Sequence, residues 1–265
     1  MKRIFFIFII IFVCFPAFAK AEIGIYQQLG KSISLDLVFN DEKGNPVTLR
    51  QLTNNRPSIL TFVYYKCPGI CTPVLQSIGK LLDQLESPSL LESTSRLTVG
   101  KDYSVIALSI DPTENHTLAA SKKKNYYAAM EKNISDTGWR FLTGSAENIK
   151  KITEATGFTY EKRDDGTFTH TATLITLTRE GKITRYIYGT TYLPLDVRLA
   201  LLEASQGRVG PTITKVLQYC FSYDPAGRKY TLNILRVAGT TSTLAAVGFF
   251  VFLIFYSRRR NKERG

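Results

Sequence analysis

Short apolar runs broken by turn residues divide the chain, and their internal spacing shifts between two and three or four residues. Ile33 to Phe39 alternates apolar and polar positions, Asp41-Glu42-Lys43-Gly44-Asn45-Pro46 supplies a turn, and Val47 to Leu52 resumes the apolar pattern, so the domain is predicted to start hairpin-like. Ser58 to Tyr65 is β-branched and aromatic, the composition of a central strand covered on both faces. Val74, Leu75, Ile78, Leu81, Leu82 and Leu85 then recur at helical spacing up to Ser87-Pro88. Tyr103 to Ile110 is a second buried strand ended by Asp111-Pro112, and Leu118 to Met130 a helix, which implies a parallel strand pair across the crossover.

Further along, Trp139 to Leu142 reads as a strand, Ala146 to Ala155 as a helix stopped by Gly157, and Phe158 to Glu161 as an edge strand. Thr171 to Thr178 and Ile183 to Tyr188 flank Arg179-Glu180-Gly181-Lys182, which has the composition of a hairpin turn. Leu195 to Ala204 closes the domain as an amphipathic helix before Gly207. The expected class is α/β, a central mixed sheet flanked by helices.

The ends differ from this body. Met1-Lys2-Arg3, an apolar run from Ile4 to Phe15, Pro16 and small residues have the order of a secretory leader over residues 1–21, cleaved after Ala19 or after Ala21. Ala238 to Tyr256 carries no charge and is long enough for a transmembrane helix, since about 20 helical residues cross a bilayer core. Arg258, Arg259, Arg260 and Lys262 follow it and belong on the cytoplasmic side by the positive-inside rule. The expected organisation is a leader (1–21), an exported domain (22–207), a juxtamembrane segment (208–237), a single C-terminal span (238–256) and a basic cytoplasmic tail (257–265). The main domain would then lie on the extracytoplasmic, periplasmic side of the membrane.

A net charge of +12 suggests nucleic acid only until it is divided by region. Three cations belong to the leader and a net four to the tail, which leaves +5 on the exported part; Lys122-Lys123-Lys124 reads as a solvated helix face. No nucleic-acid partner is expected. Cys14 falls in the leader, so Cys67, Cys71 and Cys220 remain, an odd number that cannot all pair in an oxidising compartment.

The chemistry concentrates in Tyr65-Lys66-Cys67-Pro68-Gly69-Ile70-Cys71-Thr72-Pro73, where a central strand hands over to a helix, the edge at which open α/β sheets place reactive groups. Pro73 suits a first helical turn capped by Thr72, which puts both cysteines in a turn ahead of the helix, where amides and the helix dipole favour thiolate. Three intervening residues allow two sulfurs to meet one soft ion, and equally allow a disulfide. His170 precedes the strand Thr171 to Thr178; alone it is a weak signal, as is His116 in a loop. Two thiolates and an imidazole suit copper in either oxidation state, whereas structural zinc normally takes four ligands.

Phe62-Val63-Tyr64-Tyr65-Lys66-Cys67-Pro68-Gly69-Ile70-Cys71-Thr72, then Ser109-Ile110-Asp111-Pro112, then Phe168-Thr169-His170-Thr171 resemble the Sco/SenC family over about residues 30 to 205. The resemblance implies a thioredoxin-like fold, copper bound through Cys67, Cys71 and His170, and a part in assembling the binuclear copper site of cytochrome c oxidase subunit II. It also implies that other copper chaperones or thiol reductants could be partners. Two departures stand out. Asn115 occupies the position, three after Pro112, where the family usually has an acid, and the anchor is C-terminal where many relatives are tethered N-terminally.

Three activities remain at this point: copper delivery, thiol–disulfide exchange by the pair Cys67 and Cys71, and thiol peroxidase chemistry. The last is disfavoured because Tyr64 stands where a peroxidatic motif would place threonine before Cys67.

Overall fold

A computed structural model describes residues 24–86 and 96–209, the strand residues 221–224 and 229–232, and helical residues 238–239, 242, 245–249 and 252. The chain divides after Val209 into two compact units.

The first unit opens with the expected hairpin, β1 (Val38–Asn40) against β2 (Pro46–Thr48), but the chain then turns helical. Thr48-Leu49-Arg50-Gln51 forms a reciprocal capping box that starts α1 (Leu49–Thr53), so the second apolar stretch belongs mostly to a helix. β3 (Ser58–Val63) is buried at every position and leads into α2 (Cys71–Leu85). β4 (Ser104–Ser109), also wholly buried, is followed by α3 (His116–Ala128), which begins two residues ahead of Leu118 because the Asn115 side chain accepts from the Leu118 amide. β5 (Trp139–Leu142) and α4 (Ala146–Ala155) stand where the pattern puts them. Gly157 ends α4 with φ of 64°.

Tyr160 to Lys162 (β6) pairs with Phe168 to His170 (β7) in a separate two-stranded ribbon closed by Asp164-Asp165-Gly166. β8 (Thr173–Leu177) and β9 (Ile183–Tyr188) form the expected hairpin, and α5 (Pro194–Ser205) ends at Gly207, φ 68°. The main sheet has the order β5-β4-β3-β8-β9. β3, β4 and β5 run parallel, while β8 is antiparallel to β3, which makes the sheet mixed, as a thioredoxin-like fold requires. Helices flank it, and complete burial of β3 and β4 follows from cover on both faces.

One helix differs from its sequence reading. α5 buries Val197, Ala200, Leu201 and Ala204 together with Arg198, yet Leu195, Leu199 and Leu202 stand exposed, so leucines occupy both its buried and its solvent sides and it is not amphipathic.

In the second unit β10 (Phe221–Asp224) pairs antiparallel with β11 (Lys229–Leu232), flanking the turn signal Asp224-Pro225-Ala226-Gly227. Residues 208–237, expected to be juxtamembrane, thus contain an antiparallel strand pair. Among the described residues no helix is long and apolar enough to cross a membrane. The expected leader 1–21, Cys220, the expected tail 257–265 and much of the expected span 238–256 lie outside the described residues.

Candidate metal centre

β3 ends at Val63, where the Ile110 amide donates to the Val63 carbonyl at 2.8 Å. Beyond it the chain leaves the ladder. Tyr64 and Tyr65 remain buried, and the Cys67 amide turns back to the Tyr64 carbonyl at 3.2 Å. The helix begins earlier than the sequence suggests: Cys71 is its first residue, Ile70 holds the capping position without a side-chain cap, and Thr72 lies inside the first turn. Pro73 is tolerated there because a first-turn N–H has no intrahelical acceptor to lose. Only Cys67, therefore, sits in a turn ahead of the helix.

His170 ends β7, paired with Tyr160, and its imidazole packs at 6.0 Å from the Tyr64 ring and 5.8 Å from Phe158. Its Nε2 lies 3.3 Å from Cys71 Sγ and its Nδ1 lies 3.2 Å from the Thr171 carbonyl. A carbonyl only accepts, which assigns the ring proton to Nδ1 and leaves the Nε2 lone pair facing the sulfur. Burial pushes the imidazole below its ordinary pKa, partly offset by the Thr171 carbonyl, so the neutral form is favoured.

The two sulfurs are unequal. Both thiols are free, Cys67 half-buried and Cys71 buried. For Cys67, burial acts upward but is outweighed by hydrogen bonds from the Cys71 amide and thiol, the Gly69 amide and the Tyr64 hydroxyl, and the net pKa shift is downward. Of these, the Gly69 amide stands 3.4 Å from Cys67 Sγ. Cys71 is driven well above an ordinary thiol, chiefly by burial, with Cys67 and Glu114 adding to the rise. Cys67 thus contacts Cys71, and Cys71 contacts His170. Among the described residues no three His, Cys, Asp or Glu side chains are already gathered as a metal cluster.

Glu114 is the neighbour that sequence reasoning missed. It is 5% exposed, and its carboxylate accepts from the Tyr65 amide, the Lys66 amide and the Ser109 hydroxyl. Asn115, beside it, is spent as the cap of α3, and His116 is an exposed residue in that helix's first turn rather than a loop residue.

Comparison with known proteins adds the following. The family described as SCO1/SenC matches residues 27–196. No curated protein matches. Among solved structures, a protein of Aquifex aeolicus VF5, provisionally described as an electron transfer protein, is 27% identical with a TM-score of 0.57, covering 67% of this chain and 95% of its own. A SCO1/SenC family lipoprotein from Bacillus anthracis str. Ames is 18% identical, TM-score 0.53, over 69% of this chain and 99% of its own. Arabidopsis thaliana ScoI, solved with copper bound, is 20% identical, TM-score 0.51, over 67% and 98%. These last two, at such identity, speak to the fold.

Proposed function

Since the chain belongs to the SCO1/SenC family, we propose that it is a copper-binding assembly protein in which Cys67, Cys71 and His170 hold the ion for delivery to the copper site of cytochrome c oxidase. The observation that carries this reading is the 3.3 Å approach of His170 Nε2 to Cys71 Sγ, with a second free thiol in contact with Cys71. The donor set fits: sulfur favours Cu(I), a neutral imidazole helps retain Cu(II), and the half-buried Cys67 gives the cargo a way out. The copper-bound state of the Arabidopsis relative supports the same cargo. The acceptor in this reading is subunit II of the oxidase. The protein is held at the extracytoplasmic face of the membrane by the apolar stretch 238–256 after export through residues 1–21.

A second reading, thiol–disulfide exchange, is favoured by the inequality of the sulfurs. Cys67 thiolate attacks a partner disulfide and releases one partner thiolate, which takes the Cys71 proton; Cys71 then attacks the mixed disulfide and releases the second. The partner gains the two electrons that leave the Cys67–Cys71 pair. The two readings part at His170. Full-length protein in detergent is titrated with copper against a chelator, for wild type, Cys67→Ser, Cys71→Ser and His170→Ala. One tight equivalent lost in all three variants is expected; copper retained without His170 would defeat the delivery reading.

A further inference from the structure

Past the end of β3 the amides of Tyr65 and Lys66 have no strand to pair with, and a buried N–H without an acceptor is costly. A side chain supplies both acceptors. Glu114 Oε2 receives the Tyr65 amide at 2.7 Å and Glu114 Oε1 receives the Lys66 amide at 2.7 Å. The carboxylate is itself fixed: Ser109, the last residue of β4, donates its hydroxyl to Oε2 at 2.6 Å. The Glu114 amide in turn donates to the Asp111 carbonyl at 3.1 Å, and the Asp111 amide to Ser109 Oγ at 3.1 Å. A rigid turn after β4 therefore grips the chain immediately before Cys67.

From this grip we infer that Glu114 is a positioning residue of the metal centre, holding the Tyr65–Lys66 backbone so that Cys67 Sγ stays against the Gly69 and Cys71 amides and beside Cys71. The inference rests on the copper reading for its consequence but not for its geometry. A glutamine cannot replace the carboxylate, because its single carbonyl serves one amide while its NH2 would face the other donor. Ser109→Ala leaves the charge in place and loosens only the position, so it separates placement from electrostatics.

The test uses the full-length protein, reduced and metal-free in detergent, as wild type, Glu114→Gln, Ser109→Ala and Asp83→Asn. Asp83 is the control: its carboxylate also accepts two backbone amides, those of Glu131 and Lys132, and it lies at the other end of α2. Two readouts are taken, the rate at which iodoacetamide modifies Cys67 at neutral pH and the copper affinity against a chelator. Glu114→Gln is expected to slow Cys67 modification and weaken copper binding by about 10- to 100-fold, the usual cost of losing a partner that orients a metal ligand. Ser109→Ala shifts both in the same direction by less, and Asp83→Asn lowers the melting temperature while moving neither. Wild-type values for both readouts in Glu114→Gln and Ser109→Ala would overturn the inference. Should wild type bind no copper, the delivery reading fails alone, and the modification rates still decide for or against Glu114. Should Glu114→Gln not fold, Ser109→Ala decides by the same criterion.

Discussion

His170 and Cys71 meet through the ring nitrogen that carries no proton, Nε2 against Sγ at 3.3 Å, while the Thr171 carbonyl holds the other nitrogen. The fold therefore prefers this imidazole neutral, and the preference has a sign in pH. Above the ordinary histidine pKa neither folded nor unfolded chain is protonated there, and the full stability is present. As pH falls through the window from that ordinary value, about 6.5, down to the lowered folded value, the unfolded chain takes the proton first and stability is lost. Denaturant melts of the metal-free protein between pH 7 and 5 should show wild type falling more steeply than His170→Gln. Parallel curves would refute this.

The thiols should react in a fixed order. With its pKa lowered, Cys67 gives thiolate below the pH at which an ordinary thiol does, while Cys71 stays protonated well beyond it. Peptide mapping after limited iodoacetamide treatment should find label at Cys67 first, and Tyr64→Phe should move the Cys67 rate profile to higher pH by removing a donor to its sulfur. Earlier labelling of Cys71 would contradict the assignment.

Away from the centre, Glu42 balances two cations. Arg140 donates to both its oxygens, at 2.8 to 3.2 Å, and Lys123 Nζ lies 3.3 Å from Oε1, with Lys123 and Glu42 side chains each 9% exposed. The Phe141 amide uses the same carboxylate at 2.8 Å. Arg140 keeps Asp41 at 3.2 Å and Lys123 keeps Asp136 at 2.9 Å when Glu42 is removed, so Glu42→Ala loses hydrogen bonds rather than all charge balance and should cost about 1–3 kcal/mol in unfolding free energy. Because the network joins the β1–β2 turn to α3 and β5, Cys67 reactivity should be unchanged at temperatures where the variant is folded.

Gly157 is a third kind of dependence. Its φ of 64° is left-handed, and a Cβ there would run into the Tyr26 carbonyl, whose own amide donates to the Gly157 carbonyl at 2.8 Å. Gly157→Ala should lower stability by at least about 1–2 kcal/mol from backbone conformation alone, measurable by urea denaturation, whereas Gly166→Ala, equally left-handed but with open space around it, should lose only that backbone share.

Much of the fold was legible because its central strands β3, β4 and β8, buried at every position, are mostly apolar or β-branched and its helices carry their own punctuation. β5, α4 and β9 have the limits that their residues suggest. The cysteines announce themselves by residue type at a strand–helix junction. Glu114 gives no such sign, since its acceptors serve backbone amides, which every residue possesses; the acid expected one position later had its place taken by Asn115, whose shape suits a helix cap. Local rules also misled at Thr72, a good capping residue displaced because the helix starts at Cys71. At Thr48 the capping box was readable, but the apolar alternation around it hid the change from strand to helix.

The imidazole and the nearer sulfur are contributed by residues 99 positions apart. A chain emerging from synthesis holds its sulfur pair long before the nitrogen exists, and loop closure over such a length has to be compensated by the whole sheet. Whatever affinity the nitrogen adds is consequently available only to finished molecules, and an ion seated on all three donors would lock the first and last thirds of the domain together, raising resistance to unfolding in proportion to how tightly it is held.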